Sequence, residues 1–180
     1  MYLPERKPTR LKDYDYSSPG AYFVTICTQD RKQILSKISI VGTGVLDRPR
    51  NELTYYGKIA EKQIIKMNSF YENISVDKFV VMPNHIHLLL RIKENPNGRS
   101  RMPVPTNANS LVAKFVGTFK RFCNKEYGKN IWQERSHDHI IRGEKDYDKI
   151  WEYIDTNVIR WEKDCFFTEK EEDVSNEKQI

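Results

Sequence analysis

The chain has few cysteines and no long apolar segment. Its 180 residues include only Cys27, Cys123 and Cys165, which form no Cys-x-x-Cys motif and cannot all pair. This excludes a disulfide-based scaffold and favours a reducing compartment. No apolar run is long enough to cross a membrane, and the first residues lack the apolar core of a secretion signal. We therefore expect a cytoplasmic protein with no membrane partner.

The charge of the chain is unevenly distributed. The formal net charge is +5, and residues 168–180 contain five acids and two bases, so the rest of the chain carries +8. A basic body suggests a polyanionic partner such as nucleic acid, although solubility alone can explain a charge of this size. The acidic end is expected to be disordered.

The order of the predicted elements indicates an α+β fold. Residues 1–20 are polar and proline-rich and are expected to form an arm, followed by one catalytic domain at 21–167 and an acidic tail at 168–180. The patterns predict strands at 21–28, 75–82, 85–92 and 138–142, helices at 53–70, 110–127 and 144–161, a small hairpin or excursion at 33–52, and a mobile loop at 94–109. This order fits a ferredoxin-like antiparallel sheet with helices packed on it.

A His-x-His pair stands in an apolar run that is typical of a strand. Side chains two apart on a strand point to the same face, so His85 and His87 project together while Ile86 points away. Two neutral imidazoles side by side can bind a metal ion. The alternative is a pair of exposed or hydrogen-bonded strand histidines.

The last predicted helix has an apolar stripe with a polar margin. At 100° per residue, one face of the helix is predicted to pack on the core, and it comprises Tyr147, Ile150, Trp151, Ile154, Val158 and Trp161. Tyr153 and Asn157 lie at the edge of this face, one turn apart, with Lys149 and Arg160 beyond them toward solvent. From the helix alone, an ordinary boundary tyrosine and a polar helix-end residue are the favoured interpretation.

Considered together, the two segments predict a metal-assisted reaction. His85 and His87 offer two nitrogens and Asn157 a neutral oxygen, a donor set with little charge and open positions. Such a set suits a weakly held divalent ion that awaits phosphate oxygens, rather than a closed structural zinc site. A phenol at Tyr153 could then attack a phosphodiester polarised by that ion.

These residues resemble the REP-associated tyrosine transposases, within the single-tyrosine HUH family, in which U is a hydrophobic residue. The resemblance spans roughly residues 14–161 and is carried by GAYFVT at 20–25, MPNHIH at 82–87, IWQER at 131–135, DHIIR at 138–142, DY at 146–147, and Tyr153-Ile154-x-x-Asn157. It implies that His85 and His87 bind the metal, that Tyr153 is the nucleophile, and that Asn157 completes the metal site. Val158 stands where the family usually has proline, which bears on how the helix ends.

The resemblance also implies a reaction and its partners. The tyrosine would attack single-stranded DNA beside an imperfect hairpin, leaving a 5′-phosphotyrosine and a free 3′-hydroxyl, with Mg²⁺ or Mn²⁺ and without ATP. Two alternatives remain open: a hairpin-binding regulator without catalysis, and a metal phosphodiesterase that uses water. Related enzymes include monomers that act in cis and dimers that share the site; the short connection before residue 144 favours cis slightly.

Further residues are candidates for DNA contacts. The set consists of basic residues and one aromatic–amide pair: Arg10, Lys12, Lys114, Lys120, Arg121, Trp132, Gln133, Lys149 and Arg160. For each helix cation, an ordinary solvated face is the simpler interpretation, and tryptophan at a strand approach is more often part of a core. The second histidine pair, His137 and His139, is expected to lie at a sheet edge or to face DNA rather than to bind metal.

Overall fold

The computed structural model of the protein describes residues 14–41, 48–94 and 110–167. In chain order, the strands are β1 (Gly20–Cys27), β2 (Ser36–Val41), β3 (Arg48–Leu53), β4 (Ile74–Val81), β5 (His85–Ile92) and β6 (His137–Ile140), and the helices are α1 (Tyr55–Phe70), α2 (Leu111–Tyr127) and α3 (Glu144–Thr156). Arg10, Lys12 and most of the predicted arm, most of the predicted loop, and the predicted tail lie outside the described residues.

Four strands form one antiparallel sheet in the order β4-β5-β1-β6. With α1 between β1 and β4 and α2 between β5 and β6, this is the ferredoxin-like arrangement that the element order predicts. The predicted excursion at 33–52 is a separate hairpin of β2 and β3. The α+β fold class is therefore confirmed.

The two faces of the sheet carry different side chains and have different surroundings, because side chains alternate along each strand. Tyr22, Val24 and Ile26 of β1 are fully buried in the main core. That core is completed by buried side chains of α1 and α2, among them Ile64 and Phe115. The opposite face carries the histidines of β5 and lies under α3.

The helix α2 has clear end signals. Ser110 precedes it, and its hydroxyl accepts a hydrogen bond from the backbone nitrogen of Ala113 at 3.3 Å. Gly128 follows it with a φ of 71°, a left-handed conformation that glycine adopts without steric cost. These caps explain why the predicted bounds of 110–127 are confirmed so closely.

The prediction for α3 is wrong in two respects. The regular helix ends at Thr156 rather than at Trp161, which lies in a separate 3-10 turn. Trp151 does not enter a core: it is 38% exposed, and the Lys78 ammonium lies 4.1 Å from its ring centroid. The N-terminal half of α3 covers the polar edge strand β4, so its aromatic face meets a charged group instead of apolar side chains.

Two further findings concern the cysteines and the helices of the described residues. Cys27, Cys123 and Cys165 are all free. Within the described ranges, no helix combines the length and the apolar character needed to cross a bilayer.

Candidate active site

A tight turn fixes the start of β5. Pro83 and Asn84 connect β4 to β5, and the Met82 nitrogen donates to the His85 carbonyl at 2.8 Å. The Asn84 carbonyl accepts from both the backbone nitrogen and the hydroxyl of Thr28, at 2.9 and 3.0 Å. These bonds tie the turn to the end of β1 and so hold His85 in one place.

The two strand histidines converge, as their spacing predicts. Both are buried, at 0% and 1% exposure, and their Nε2 atoms are 2.9 Å apart. The outer nitrogens are also engaged: His85 Nδ1 lies 2.8 Å from Asn84 Oδ1, and His87 Nδ1 lies 2.9 Å from Thr25 Oγ1. Thr25 stands directly opposite His87 on the neighbouring strand.

The hydrogen bonds set the tautomer of His85. The Asn84 amide nitrogen donates to the Phe166 carbonyl at 2.8 Å, so its oxygen is the atom that accepts from His85. The His85 proton therefore sits on Nδ1, and Nε2 presents a lone pair to the site. Partners of this kind orient metal-binding histidines in other proteins.

Burial keeps both imidazoles neutral. It lowers the pKa of His85 to about 3, with a further decrease from the nearby Arg31 cation. Burial also lowers the pKa of His87 well below its ordinary value, and His85 adds to this decrease. Both side chains are thus in the neutral form, with one ring nitrogen free of a proton, that metal ligation requires.

The structure places Tyr153 beside this pair. Its hydroxyl lies 3.3 Å from His87 Nε2 and donates to Asp164 Oδ2 at 2.8 Å. The ring meets the edge of Phe23 at a centroid distance of 5.8 Å. Burial raises the pKa of the Tyr153 phenol, and the hydrogen bond to the Asp164 carboxylate raises it further.

Asn157 is also part of the cluster. Although α3 ends one residue earlier, Asn157 keeps helical dihedral angles (φ −60°, ψ −41°) and so stays one turn from Tyr153. It is 1% exposed, and its amide nitrogen donates to Asp164 Oδ2 at 3.0 Å. Its buried oxygen has no hydrogen-bond partner within the described part of the chain.

Asp164 is the residue that sequence reasoning missed. It follows the 3-10 turn at Trp161–Lys163, and its Oδ1 accepts from the Phe166 backbone nitrogen at 2.7 Å. Together with His85 and His87 it forms a group whose potential ligand atoms all lie within 4.8 Å of one another. No periodicity relates Asp164 to Tyr153, because the chain leaves the helix between them, so the sequence carries no signal for this position.

Aromatic rings cover the histidines from the same segment. The Phe166 ring lies 4.7 Å from that of His85, and the Trp161 ring lies at 5.9 Å. Arg31 stacks on Phe166 at 4.8 Å and donates to the Cys165 carbonyl at 3.2 Å. Residues 161–167 therefore form a cover over the candidate site, which we call the C-terminal cover.

The predicted DNA contacts fall into two groups. Lys114, Arg121, Lys149 and Arg160 are exposed, and Gln133 is partly exposed. Lys120 instead donates to the carbonyls of Gln133 and Glu134, at 2.8 and 3.2 Å, and so helps to hold the segment before β6.

Trp132 is not available to stack on a base in this conformation. It is 1% exposed and packs in the core against Phe119, with 5.6 Å between the ring centroids. The expectation of a base contact is corrected here, because the tryptophan fills the interior where the segment after α2 meets β1.

The second histidine pair lies apart from the first. His137 and His139 are exposed on the edge strand β6, and His139 Nε2 is 3.0 Å from Asp146 Oδ2. Neither belongs to the His/Cys/Asp/Glu cluster that the described residues form around His85. Their predicted position at the sheet edge is confirmed.

Comparisons with known proteins identify relatives. No protein-family model matches the chain. An uncharacterized protein of Haemophilus influenzae is 30% identical over 180 residues, covering 93% of this chain and 96% of the relative. A second Haemophilus influenzae protein, provisionally named a REP-associated tyrosine transposase, is 28% identical over 148 residues, which is 81% of this chain and 74% of the relative.

A solved structure shares the fold. The structure of a REP-associated tyrosine transposase bound to a REP hairpin has a TM-score of 0.57 and 22% identity, over 84% of this chain and 73% of that chain. At this identity, the similarity to the solved structure shows a common fold only. The similarity in sequence is to the two Haemophilus influenzae proteins. The chain therefore shares the fold of a REP-associated tyrosine transposase and is similar in sequence to a protein that is provisionally given the same name.

Proposed function

We propose that the protein cuts and rejoins single-stranded DNA beside a hairpin through a covalent 5′-phosphotyrosine on Tyr153. The observation that carries this proposal is the position of the Tyr153 hydroxyl, 3.3 Å from His87 Nε2, which itself lies 2.9 Å from His85 Nε2. A phenol beside two convergent neutral imidazoles suits attack on a metal-bound phosphodiester.

The side chains present fit a divalent cation such as Mg²⁺ or Mn²⁺. His85 and His87 would bind it through Nε2, since their Nδ1 atoms are already engaged. The buried and unpartnered oxygen of Asn157 supports the prediction that this residue also contributes. When bound, the ion polarises the phosphodiester and offsets the charge that develops on its oxygens.

The protein residues carry out the transfer. As the bond from Tyr153 to phosphorus forms, the bond from phosphorus to the 3′ oxygen breaks; the phenol loses its proton and the departing oxygen gains one. Phe23 and His87 flank the phenol ring and restrict its orientation. Because the new ester conserves the energy of the broken bond, the strand can be rejoined without ATP.

Exposed cations supply a path for the DNA backbone. Lys149 is exposed on α3 and Arg160 in the turn that follows it, and Lys114 and Arg121 are exposed on α2. Arginine and lysine contacts to phosphates account for most non-specific affinity for nucleic acids. Since a solved structure of the family contains a REP hairpin, we propose hairpin-flanked single strands as the substrate, with Gln133, Arg10 and Lys12 as further contacts.

The first prediction tests the nucleophile. Labelled single strands that carry imperfect hairpins, taken from repeats in the genome that encodes the protein, are incubated with the protein and Mn²⁺. Wild type should give an adduct that survives SDS, and Tyr153→Phe should give none, because the phenylalanine has no oxygen to bond to phosphorus. Tyr147→Phe is the matched control: it removes a hydroxyl from the same helix, one that donates to Asp77, and should leave the adduct intact.

Other outcomes select between the alternatives. Hairpin binding by wild type without cleavage under Mg²⁺ or Mn²⁺ would favour a non-catalytic regulator. Cleavage that proceeds in Tyr153→Phe, with free product and no adduct, would favour a phosphodiesterase that uses water.

A further inference from the structure

We propose that Asp164 is the anionic ligand of the metal site and acts together with His85 and His87. The inference rests on the proposed function for the presence of a metal, and it concerns how the ion is held. The motif that carries the family resemblance ends at Asn157 and does not include this residue; its position in the folded chain points to it.

The distances fit a single coordination sphere. Ligand atoms of Asp164, His85 and His87 lie within 4.8 Å of one another. Ligands about 2.1 Å from an ion are separated by roughly 3–4 Å, so the three side chains are close to this arrangement already. The backbone that carries them is tied down, by β5 on one side and by the Asp164–Phe166 turn on the other.

The carboxylate is oriented by several donors. Its Oδ1 accepts from the Phe166 backbone nitrogen, and its Oδ2 accepts from both Tyr153 and Asn157. Donors of this kind fix a carboxylate in the direction that ligation needs, as neighbouring groups do around known metal sites. Oδ2 is therefore held on the side where the two imidazoles converge.

Charge is the second argument. His85, His87 and Asn157 are all neutral, so without Asp164 the site would hold a divalent cation with no opposing charge. Mg²⁺ and Mn²⁺ prefer oxygen ligands and carboxylates in particular. A neutral donor set would bind the ion only weakly. With the Asp164 carboxylate included, we expect a measurable affinity for the ion even in the absence of DNA.

A purely structural function of Asp164 is the competing explanation. In that case its carboxylate serves only to close the turn through the Phe166 nitrogen. Asp164→Asn separates the two possibilities, because asparagine can still accept that hydrogen bond but carries no charge. Glu162→Gln is a matched control, since it removes the same charge from an exposed position in the same segment.

The experiment measures Mn²⁺ binding to the full chain without DNA, by calorimetry or by the loss of the free-ion electron paramagnetic resonance signal. Asp164→Asn should weaken binding at least about tenfold, a size typical for loss of a metal-site group. Glu162→Gln should bind like wild type. Wild-type affinity in Asp164→Asn overturns the inference, and so does an equal loss in Glu162→Gln, which would indicate general electrostatic attraction.

Circular dichroism in EDTA establishes that each variant is folded. Should Asp164→Asn not fold, the wild-type chain loaded with Co²⁺ supplies the answer by proton magnetic resonance. A hyperfine-shifted signal that disappears when aspartate is deuterated at its β-carbon supports ligation, and the absence of such a signal overturns it.

Failure of this inference is distinguishable from failure of the proposed function. An adduct on Tyr153 with Mn²⁺ affinity independent of Asp164 refutes the ligand assignment and leaves the reaction standing. Mn²⁺ binding that depends on Asp164, without any adduct, refutes the reaction and leaves the ligand assignment standing.

Discussion

At the scale of single residues, His85 and His87 place two titratable groups inside the protein, and the Asp164 carboxylate close to them only partly opposes the effect of burial on His87. Their hydrogen-bond partners are neutral: Asn84 on one side and Thr25 on the other. Protonation of either imidazole would place a positive charge in this buried site, away from water. Such a transfer of charge is unfavourable. The cost appears in the pH dependence of folding.

We predict that the metal-free protein loses stability as the pH falls below about 6.5. The unfolded histidines have a pKa of ~6.5, whereas burial lowers the pKa of His85 to about 3 and that of His87 well below its ordinary value. Below ~6.5 the unfolded chain therefore binds more protons than the folded chain, and stability falls as the pH decreases. Urea midpoints in EDTA at pH 7.5, 6 and 5 provide the measurement.

Two variants assign this effect. The double variant His85→Gln/His87→Gln should have a flatter pH dependence than wild type, because both titrating groups are gone. His137→Gln removes an exposed histidine and should follow the wild-type curve. If the double variant were as acid-sensitive as wild type, other groups would be responsible for the decline.

At the scale of elements, close backbone contact decides how α1 begins. Thr54 caps the helix by accepting from the Gly57 nitrogen at 3.3 Å, and its hydroxyl also donates to the Leu35 carbonyl at 2.9 Å. A Cβ at Gly57 would collide with that same carbonyl. Glycine is needed here for space, since its dihedral angles are helical.

Gly57→Ala should therefore destabilise the protein by about 1–3 kcal/mol, the usual cost of overpacking a tight contact. Gly117→Ala is the matched control, because a Cβ at this exposed position of α2 has nothing within 4 Å. It should stabilise by about 0.5–1 kcal/mol through the higher helix propensity of alanine. Thermal or urea unfolding measures both, and a stabilising Gly57→Ala would contradict the packing argument.

Elements with local signals could be predicted from the sequence, and elements defined by their neighbours could not. β5 and the convergence of its histidines follow from alternation, and α2 follows from Ser110 and Gly128. Trp151 lies against Lys78, from a strand about seventy residues away, instead of in a core, and no local pattern contains that information. Asp164 joins the candidate site only because the chain turns back after α3.

At the scale of the whole molecule, the candidate site lies within one chain. The connection from β6 to α3 is residues 141–143, and Gly143 has a φ of 91°. This short turn brings Tyr153 over the histidines of its own sheet, at the 3.3 Å already described. The geometry agrees with the slight preference for a cis-acting site.

We predict that an equal mixture of His85→Ala and Tyr153→Phe forms no adduct with hairpin DNA. Each variant chain lacks one required residue of its own site. Because the site is built from residues of a single chain, the two variants should not complement each other. Wild type mixed with Tyr153→Phe should form adduct and is the control for the assay. Adduct in the first mixture would mean that subunits exchange α3 in solution.

The central position of β5 divides the candidate site into a static half and a half that can move. β5 pairs along its length with β4 on one side and β1 on the other, so its amides should exchange with solvent only when the whole sheet opens. In α3, by contrast, Ile154 is the one buried residue, so the helix can fluctuate while the sheet stays intact. In the proposed reaction, the histidines would therefore stay fixed, and any motion would be made by the helix that carries Tyr153.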